Sequence, residues 1–471
     1  MNDILHSLTL EEKILQTKVA LMKRDQPLTE PVGAAFFFGQ IITEAEEAGL
    51  DELRDKVRAV NDLCRIPPLI TSDFENGCGS MVKGLTPLPY LMGLGATADA
   101  DLAYDYGAAT ALEARSIGAN WSFSPVCDLN INRRNPLVNV RALTDDADLD
   151  CRLLARVIRG MKDHGLAACA KHFPGDGVDG RDQHIVTTDN TLPFDRWKET
   201  SGRVFREMIA AGVDTIMAGH ITLASYEKER DAEFGMPYPA TLSRELITDL
   251  LKGEMGFGGV VVTDALGMGG IGGWYPTPEQ TEIEAFKAGC DMVLWPTDRY
   301  VDNMKEAIRT GEIPMERLDD AVSRILALKE KLGLLDPEHT PCRPLSEEEK
   351  AFVERTRLRV SERSVTLVRN RGGLLPIDRE KVRRILVVPV TDHPPAMALC
   401  DRLCEAQTEL TAQGITPVRV NEVSAANGIY VNEYFKRNDW VELYNTTDEA
   451  IDVEGMYLTD NLSKPTKYQI T

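Results

Sequence analysis

Apolar runs of four to seven residues alternate with amphipathic stretches over the first 335 residues, and this alternation constrains the fold more than any other feature. The runs fall at 34–38, 68–71, 121–126, 166–172, 215–218, 260–263 and 292–295. Helix-like stretches lie between them, among them 100–116, 153–164 and 195–211. A strand buried on both faces reads as a continuous apolar run, and a helix covering a sheet keeps its charges on the outer side. Repeated over ~250–340 residues, this pattern fits an α/β chain folded as a (β/α)8 barrel better than an open doubly wound sheet. No Gly-x-Gly-x-x-Gly follows a strand, which weakens the dinucleotide-binding alternative. Thr9-Leu10-Glu11-Glu12-Lys13-Ile14-Leu15 reads as a capped helix start, and a helix around 315–332 closes the region.

Polar residues sit where these runs end. Asp73 follows 69–72, Lys171 and His172 follow 167–170, His220 follows 216–219, and Asp264 follows 260–263. In a barrel the carboxyl ends of the strands form one face, where active sites lie. One run ending this way is chance; four point to a shared pocket.

Each of these residues has a bland reading beside the chemical one. Phe173-Pro174-Gly175 ends its strand abruptly, because Pro lacks an amide donor and Gly permits unusual dihedrals. Lys171 and His172 can both turn into the pocket there, or stay a solvated Lys and a core His. Asp182 and His184 are two apart on a Gly-containing loop, so an extended segment puts both on one side. A carboxylate beside an imidazole fixes its tautomer and makes it a general acid/base; a surface pair is the alternative. Asp264 either caps the next helix or attacks an anomeric carbon. Asp73 has the same ambiguity, with sugar-hydroxyl acceptor as its functional role. His220 reads slightly better as a core hydrogen-bonder than as a pocket residue, and Trp121 as core. Trp274 and Trp295 are left open as rim residues.

Charge narrows the partners. Lys plus Arg number 53 and Asp plus Glu 74, a net charge of −21. That argues against nucleic acid, whose affinity comes largely from basic groups meeting phosphates, and against an anionic membrane surface. No run approaches the ~20 apolar residues of a membrane helix. The N-terminus lacks a basic region followed by an apolar one, and the nine Cys form no Cys-x-x-Cys pair. The expectation is a cytoplasmic protein with reduced thiols, without a metal or organic cofactor, acting on a small molecule.

The texture changes after the barrel-like region, which we bound at 1–340. A Pro-rich linker at 335–344 leads into a helix and a strand-like run at 385–390, the start of a second α/β layer that stops short. From 417 to 471 short alternating runs at 418–423 and 440–444 read as all-β material, about half of an immunoglobulin-like sandwich. The division is therefore 1–340, 341–416 and 417–471.

The chain resembles glycoside hydrolase family 3, and within it the β-N-acetylhexosaminidase branch. The likeness runs through Leu8-Thr9-Leu10-Glu11-Glu12-Lys13, Ile66-Pro67-Pro68-Leu69-Ile70 with Asp73, and Asn120-Trp121-Ser122-Phe123-Ser124-Pro125-Val126-Cys127-Asp128-Leu129-Asn130, where Asp128 is given no role of its own. It continues through Asn139-Val140-Arg141, Lys171-His172-Phe173-Pro174-Gly175, Asp182-Gln183-His184 and Val262-Thr263-Asp264, in the family's order. The resemblance implies a (β/α)8 catalytic domain and retaining hydrolysis of a terminal β-linked N-acetylhexosamine through a glycosyl-enzyme. It implies Asp264 as nucleophile, His184 as acid/base with Asp182 as its partner, and Asp73, Arg141, Lys171 and His172 as sugar-binding residues. A carbohydrate substrate and no cofactor follow.

This chain departs from the pattern in two places. Related hexosaminidases commonly have His where Asp176 stands, and carry Arg residues where Gly77-Cys78-Gly79-Ser80-Met81 has none. A β-glucosidase or a phosphorylase of the same family, and a non-catalytic carbohydrate-binding scaffold, are the alternatives. Further on, 364–390 resembles the start of the family's C-terminal α/β sandwich, and 418–471 a lamin-tail domain.

Overall fold

The structure, a computed structural model, describes residues 2–42, 46–232 and 235–370 together with five short strands further along. The chain divides into two compact units, Met1–Thr366 and Leu367–Thr471.

Ten strands are described in the first unit: β1 (Lys18–Met22), β2 (Ala34–Phe37), β3 (Leu69–Ser72), β4 (Trp121–Ser122), β5 (Cys169–Phe173), β6 (Thr188–Asp189), β7 (Thr215–Ala218), β8 (Ile221–Thr222), β9 (Val260–Thr263) and β10 (Val293–Leu294). Eight of them form two all-parallel sheets, β10-β1-β2-β3-β4 and β5-β7-β9. Isolated parallel bridges, Trp121 with Ala167 and Val262 with Met292, tie the two sheets together at both ends. The short pair β6 and β8 joins the segments that follow β5 and β7. Parallel strands alternating with helices are what the periodicity implied.

The strands read as unbroken apolar runs because both faces are buried. Val19, Ala34, Phe36, Leu69, Trp121, Cys169, Met217, Val260, Val262 and Leu294 share one cluster. Their neighbours Ala20, Ala35, Phe37, Ile70, Ala170, Ile216, Ala218 and Val261 belong to another, shared with the helices Ala100–Ser116, Ala147–Asp163 and Ser201–Ala210. Side chains alternate across a strand, so one strand serves both layers.

Local chemistry moves several expected boundaries. The helix expected at 153–164 spans Ala147–Asp163, because Asp146 caps it by accepting from the Asp148 and Leu149 amides. The stretch 195–211 is two helices, Phe194–Glu199 and Ser201–Ala210, broken at Thr200. The run 121–126 pairs regularly only at Trp121–Ser122. Strand β1 was not anticipated. It follows the capped helix Leu10–Gln16 after a single residue, so the two patterns merge. The helix Glu347–Ser364 packs within the first unit, where Arg359 meets Asp105 and Arg363 meets Asp99.

In the second unit, β11 (Arg384–Val387) runs parallel to β12 (Thr416–Ser424), and β12 pairs antiparallel with β13 (Trp440–Tyr444). A separate antiparallel pair joins β14 (Tyr457–Leu458) to β15 (Tyr468–Gln469). Apart from these strands, the sandwich-like material from 371 and the lamin-tail-like segment 417–471 lie outside the described residues.

Candidate active site

The inward side of each strand continues past its carboxyl end into one ring. Two positions beyond Thr71, Cys169 and Val262, alternation places Asp73, Lys171 and Asp264. On the neighbouring strands the lining is apolar: Phe38 and Trp295, and Leu21 one inward step lower, pack against the inner cluster. The pocket floor is therefore charged along β3, β5 and β9, and aromatic along β10 and β2, where Phe38 and Trp295 lie 5.2 Å apart.

Lys171 lies at the centre of the charged arc, with 3% of its side chain exposed. Its ammonium donates to Asp73 Oδ1 at 2.8 Å and meets Glu75 Oε1 at 2.7 Å. Arg141 donates to the same Glu75 through two parallel bonds, Nε to Oε2 at 2.8 Å and Nη2 to Oε1 at 2.7 Å. Two cations and two carboxylates cancel, which is what makes such deep burial tolerable. Burial alone would raise the Glu75 carboxyl, but Lys171 and Arg141 outweigh it and hold it well below its usual range. Burial would likewise strip Lys171 of its proton, yet Asp73 and Glu75 keep it charged. An ammonium has three donors, so one remains for a ligand, and Asp73 is open to the pocket.

The register between β5 and β7 breaks between Ala170 and Phe173, at the point where adjacent Lys171 and His172 reach the same pocket. His172 is held from behind by Asp128, which is completely buried. Asp128 Oδ2 accepts from His172 Nδ1 at 2.7 Å, and Oδ1 accepts the His172 and Asp176 amides at 3.1 and 2.7 Å. That leaves His172 Nε2 facing Asp264 Oδ2 at 4.0 Å. The other Asp264 oxygen accepts the Ala265 amide at 2.8 Å. Burial would raise the Asp264 carboxyl; His172, His220, that amide and Lys171 together bring it below its ordinary value. A partly exposed carboxylate kept ionised at the end of a strand has the charge that a nucleophile needs.

His184 and Asp182 form the anticipated pair: Nδ1 lies 2.8 Å from Asp182 Oδ1, and the His184 amide donates to the same oxygen at 2.8 Å. Burial works against the Asp182 charge, but these bonds, with the charges of His184 and Arg141, lower it. An ionised carboxylate only accepts, so the proton sits on Nδ1 and Nε2 is the nitrogen free to exchange one. The pair is more than half open to solvent at the imidazole, 54% exposed. Its backbone lies against the segment after Asp264: Gly269 N donates to His184 O at 2.7 Å and Gly270 N to Gln183 O at 3.0 Å.

All seven sequence-derived site residues thus come to one end of the parallel strands. His220 is a core residue, fully buried, its ring between Thr241 Oγ1 at 2.9 Å and the Ala265 carbonyl at 3.0 Å. Trp121 is core too, donating to Thr215 Oγ1 at 2.9 Å. Asp176 turns away from the pocket, 2% exposed, with Oδ1 accepting from Asn135 Nδ2 at 2.8 Å and the Gly177 amide at 2.6 Å. Glu75 and Asp128 escaped the sequence reading. Both were within reach of it: Glu75 is two positions beyond Asp73, and Asp128 lies two positions past the run 121–126, close to where Asp264 follows its own. Among the described residues, no group of three or more His, Cys, Asp or Glu could hold a metal ion.

Comparison with known proteins places this arrangement. Residues 9–328 match the glycosyl hydrolase family 3 N-terminal domain. A β-N-acetylglucosaminidase/β-glucosidase of Cellulomonas fimi is 38% identical over 344 residues, which is 70% of this chain; the chain spans 59% of that enzyme's length. Among solved structures, the β-glucoside phosphorylase BglX superposes with a TM-score of 0.78 at 29% identity, covering 91% of this chain and 78% of its own. A family 3 β-N-acetylglucosaminidase from Paenibacillus sp. superposes with a TM-score of 0.72 at 31% identity, covering 81% and 73%.

Proposed function

The chain belongs to glycosyl hydrolase family 3, and on that premise we propose that it is a retaining exo-glycosidase that releases terminal β-linked N-acetylhexosamine from small glycosides. In this reading the circuit of parallel strands is the (β/α)8 barrel of the family. The observation that carries the proposal is the Asp182–His184 pair, bonded at 2.8 Å and laid by its backbone against the segment after Asp264.

The sugar's hydroxyls meet the charged arc. Asp73 accepts, while Lys171 and Arg141 donate with charge-assisted bonds, and His172 is oriented by Asp128. Asp264 Oδ1 is occupied by the Ala265 amide, so Oδ2 attacks the anomeric carbon. His184 enters this step with both ring nitrogens protonated and gives its Nε2 proton to the departing oxygen as that bond breaks, which leaves a neutral imidazole, still holding its Nδ1 proton toward Asp182, and a glycosyl ester on Asp264. Nε2 then takes a proton from water as the water's oxygen attacks the same carbon and frees Asp264. Two inversions retain the configuration.

A second reading keeps the same first half but uses phosphate as the acceptor. The structural likeness to a β-glucoside phosphorylase supports it, and a neutral imidazole repels an incoming anion less than a carboxylic acid/base would. One assay separates the readings: release of 4-nitrophenol from its β-N-acetylglucosaminide and β-glucoside, with and without phosphate. Turnover of the N-acetyl substrate in water, abolished by Asp264→Asn and cut by orders of magnitude in His184→Ala, is the expected result. A sugar phosphate as the product selects the second reading. Near-wild-type turnover by either variant defeats both.

A further inference from the structure

We infer that Gln183, between the two members of the pair, is a positioning residue that sets where His184 stands relative to Asp264. The inference rests on the acid/base reading of His184. Asp182 opens a turn, its carbonyl accepting the Ile185 and Val186 amides at 3.0 Å, and within that turn His184 faces solvent while Gln183 points into the protein. Gln183 is completely buried. Its Oε1 accepts the backbone N–H of His220 at 2.9 Å. The His220 ring in turn faces the carbonyl of Ala265, the residue after Asp264, at 3.0 Å. A chain of two hydrogen bonds thus runs from the middle of the pair to the neighbour of the nucleophile.

The rest of the segment is arranged around that peg. The Gln183 and His184 carbonyls accept from Gly270 and Gly269, and the Thr188 amide donates to the His220 carbonyl at 3.2 Å, where β6 begins to pair with β8. Thr187 Oγ1 donates to Gly270 O at 2.6 Å and accepts from Trp274 Nε1 at 2.8 Å. A Cβ on Gly270 would collide with the Gln183 carbonyl, and one on Gly269 with the Ile185 carbonyl, so both glycines are required for the close approach. The other end of the Gln183 amide, Nε2, is buried without a partner. A side chain retained only for packing would not carry that unmade donor, whereas an acceptor aimed at a buried backbone N–H justifies it. Asn is one methylene too short to reach, and Glu would bury a charge.

The test is the leaving-group dependence of kcat/KM, which reports the steps up to bond cleavage. The full chain and its Gln183→Met variant, which keeps the volume and loses the acceptor, are compared on two β-N-acetylglucosaminides. Methoxide cannot leave without a proton; 2,4-dinitrophenolate can. Displacing His184 should cut kcat/KM for the methyl glycoside by about 30-fold, a partial loss of the ~10²–10⁴ that general acid catalysis supplies, and for the dinitrophenyl glycoside by less than about threefold. If Gln183→Met does not fold, Gly269→Ala pushes the same segment away from the opposite side and should give the same split. Equal losses on both substrates, or no loss on either, overturn the inference. Failure of the unaltered chain to cleave either glycoside instead defeats the acid/base reading, and the inference with it.

Discussion

Asp176→Asn should stabilise the protein at neutral pH and do nothing for it at pH 4. In the native chain Asp176 is buried beside the Asp128 carboxylate, and its Oδ2 has no hydrogen-bond partner. Burial first, and then the Asp128 charge, push its carboxyl from 3.8 up to about 6, against the Gly177 amide, His172 and Asn135, which pull it down. The folded state therefore holds this proton more tightly than the unfolded state. By linkage, stability is highest below the unfolded value near 4, falls as pH rises through the window to about 6, and stays reduced above it. A rise of this size is worth about 3 kcal/mol, at 1.36 kcal/mol per unit. Unfolding entropy of ~2.1 cal/mol/K per residue gives about 0.8 kcal/mol/K for a unit the size of Met1–Thr366. The penalty is thus about 4 °C in Tm. Asn keeps the Oδ1 acceptor for Asn135 and Gly177 and has no charge to lose. Thermal unfolding of both chains from pH 4 to pH 8 checks this. The Tm difference should open from near zero to about 4 °C in favour of the variant between pH 4 and 6. A difference that is flat with pH, or that favours the native chain at pH 7, refutes the electrostatic account of this carboxyl.

Three other outcomes follow from the same structure. Glu75→Gln removes the carboxylate shared by Lys171 and Arg141; breaking a buried pair costs about 3–5 kcal/mol, so Tm should fall by about 4–6 °C together with activity, measured by calorimetry and initial rates. Asp128→Asn keeps one oxygen for the His172 and Asp176 amides but turns an NH2 donor toward His172 Nδ1, which forces the other tautomer, and should lower kcat by about 10²-fold while the fold persists by circular dichroism. Lys329 is fully buried against Gln16 Oε1 at 2.7 Å, and burial lowers its ammonium from 10.5 to about 7. The unfolded state therefore holds that proton more tightly between these values. Lys329→Met should raise Tm at pH 7 by about 6 °C, a gain that shrinks as pH approaches 10.

The legible part of the site was the part that interrupts an apolar run. Asp73, Lys171, His172 and Asp264 each break a buried strand at its carboxyl end, and a polar residue there needs a reason. Asp182 and His184 lie on a loop with no periodic background, so only their place just after the segment 171–175, and then the resemblance, gave them weight. Glu75 and Asp128 touch the residues that the pocket uses, and what marks them is contact with Arg141, Lys171 and His172 across 44 to 96 positions of chain. No local pattern encodes such a contact. Gln183 is the clearest case. In the sequence it is a polar residue in a polar loop; its burial arises because β5, β7 and β9 bring the His220 amide beneath it. The strand β1 was missed for a different reason, since helix and strand patterns separated by one residue blur into a single apolar stretch.

In the proposed reaction Asp264 forms a covalent glycosyl ester beside the Asp182–His184 pair. The most direct measurement is intact and peptide mass spectrometry after incubation with a 5-fluoro N-acetylglucosaminyl fluoride, which forms the ester and releases it slowly. A single saturable adduct on the peptide that carries Asp264, absent from Asp264→Asn and lost on adding an acceptor, is the predicted result. An adduct on another residue, or steady turnover of the probe through an Asp264→Asn chain, would contradict the account.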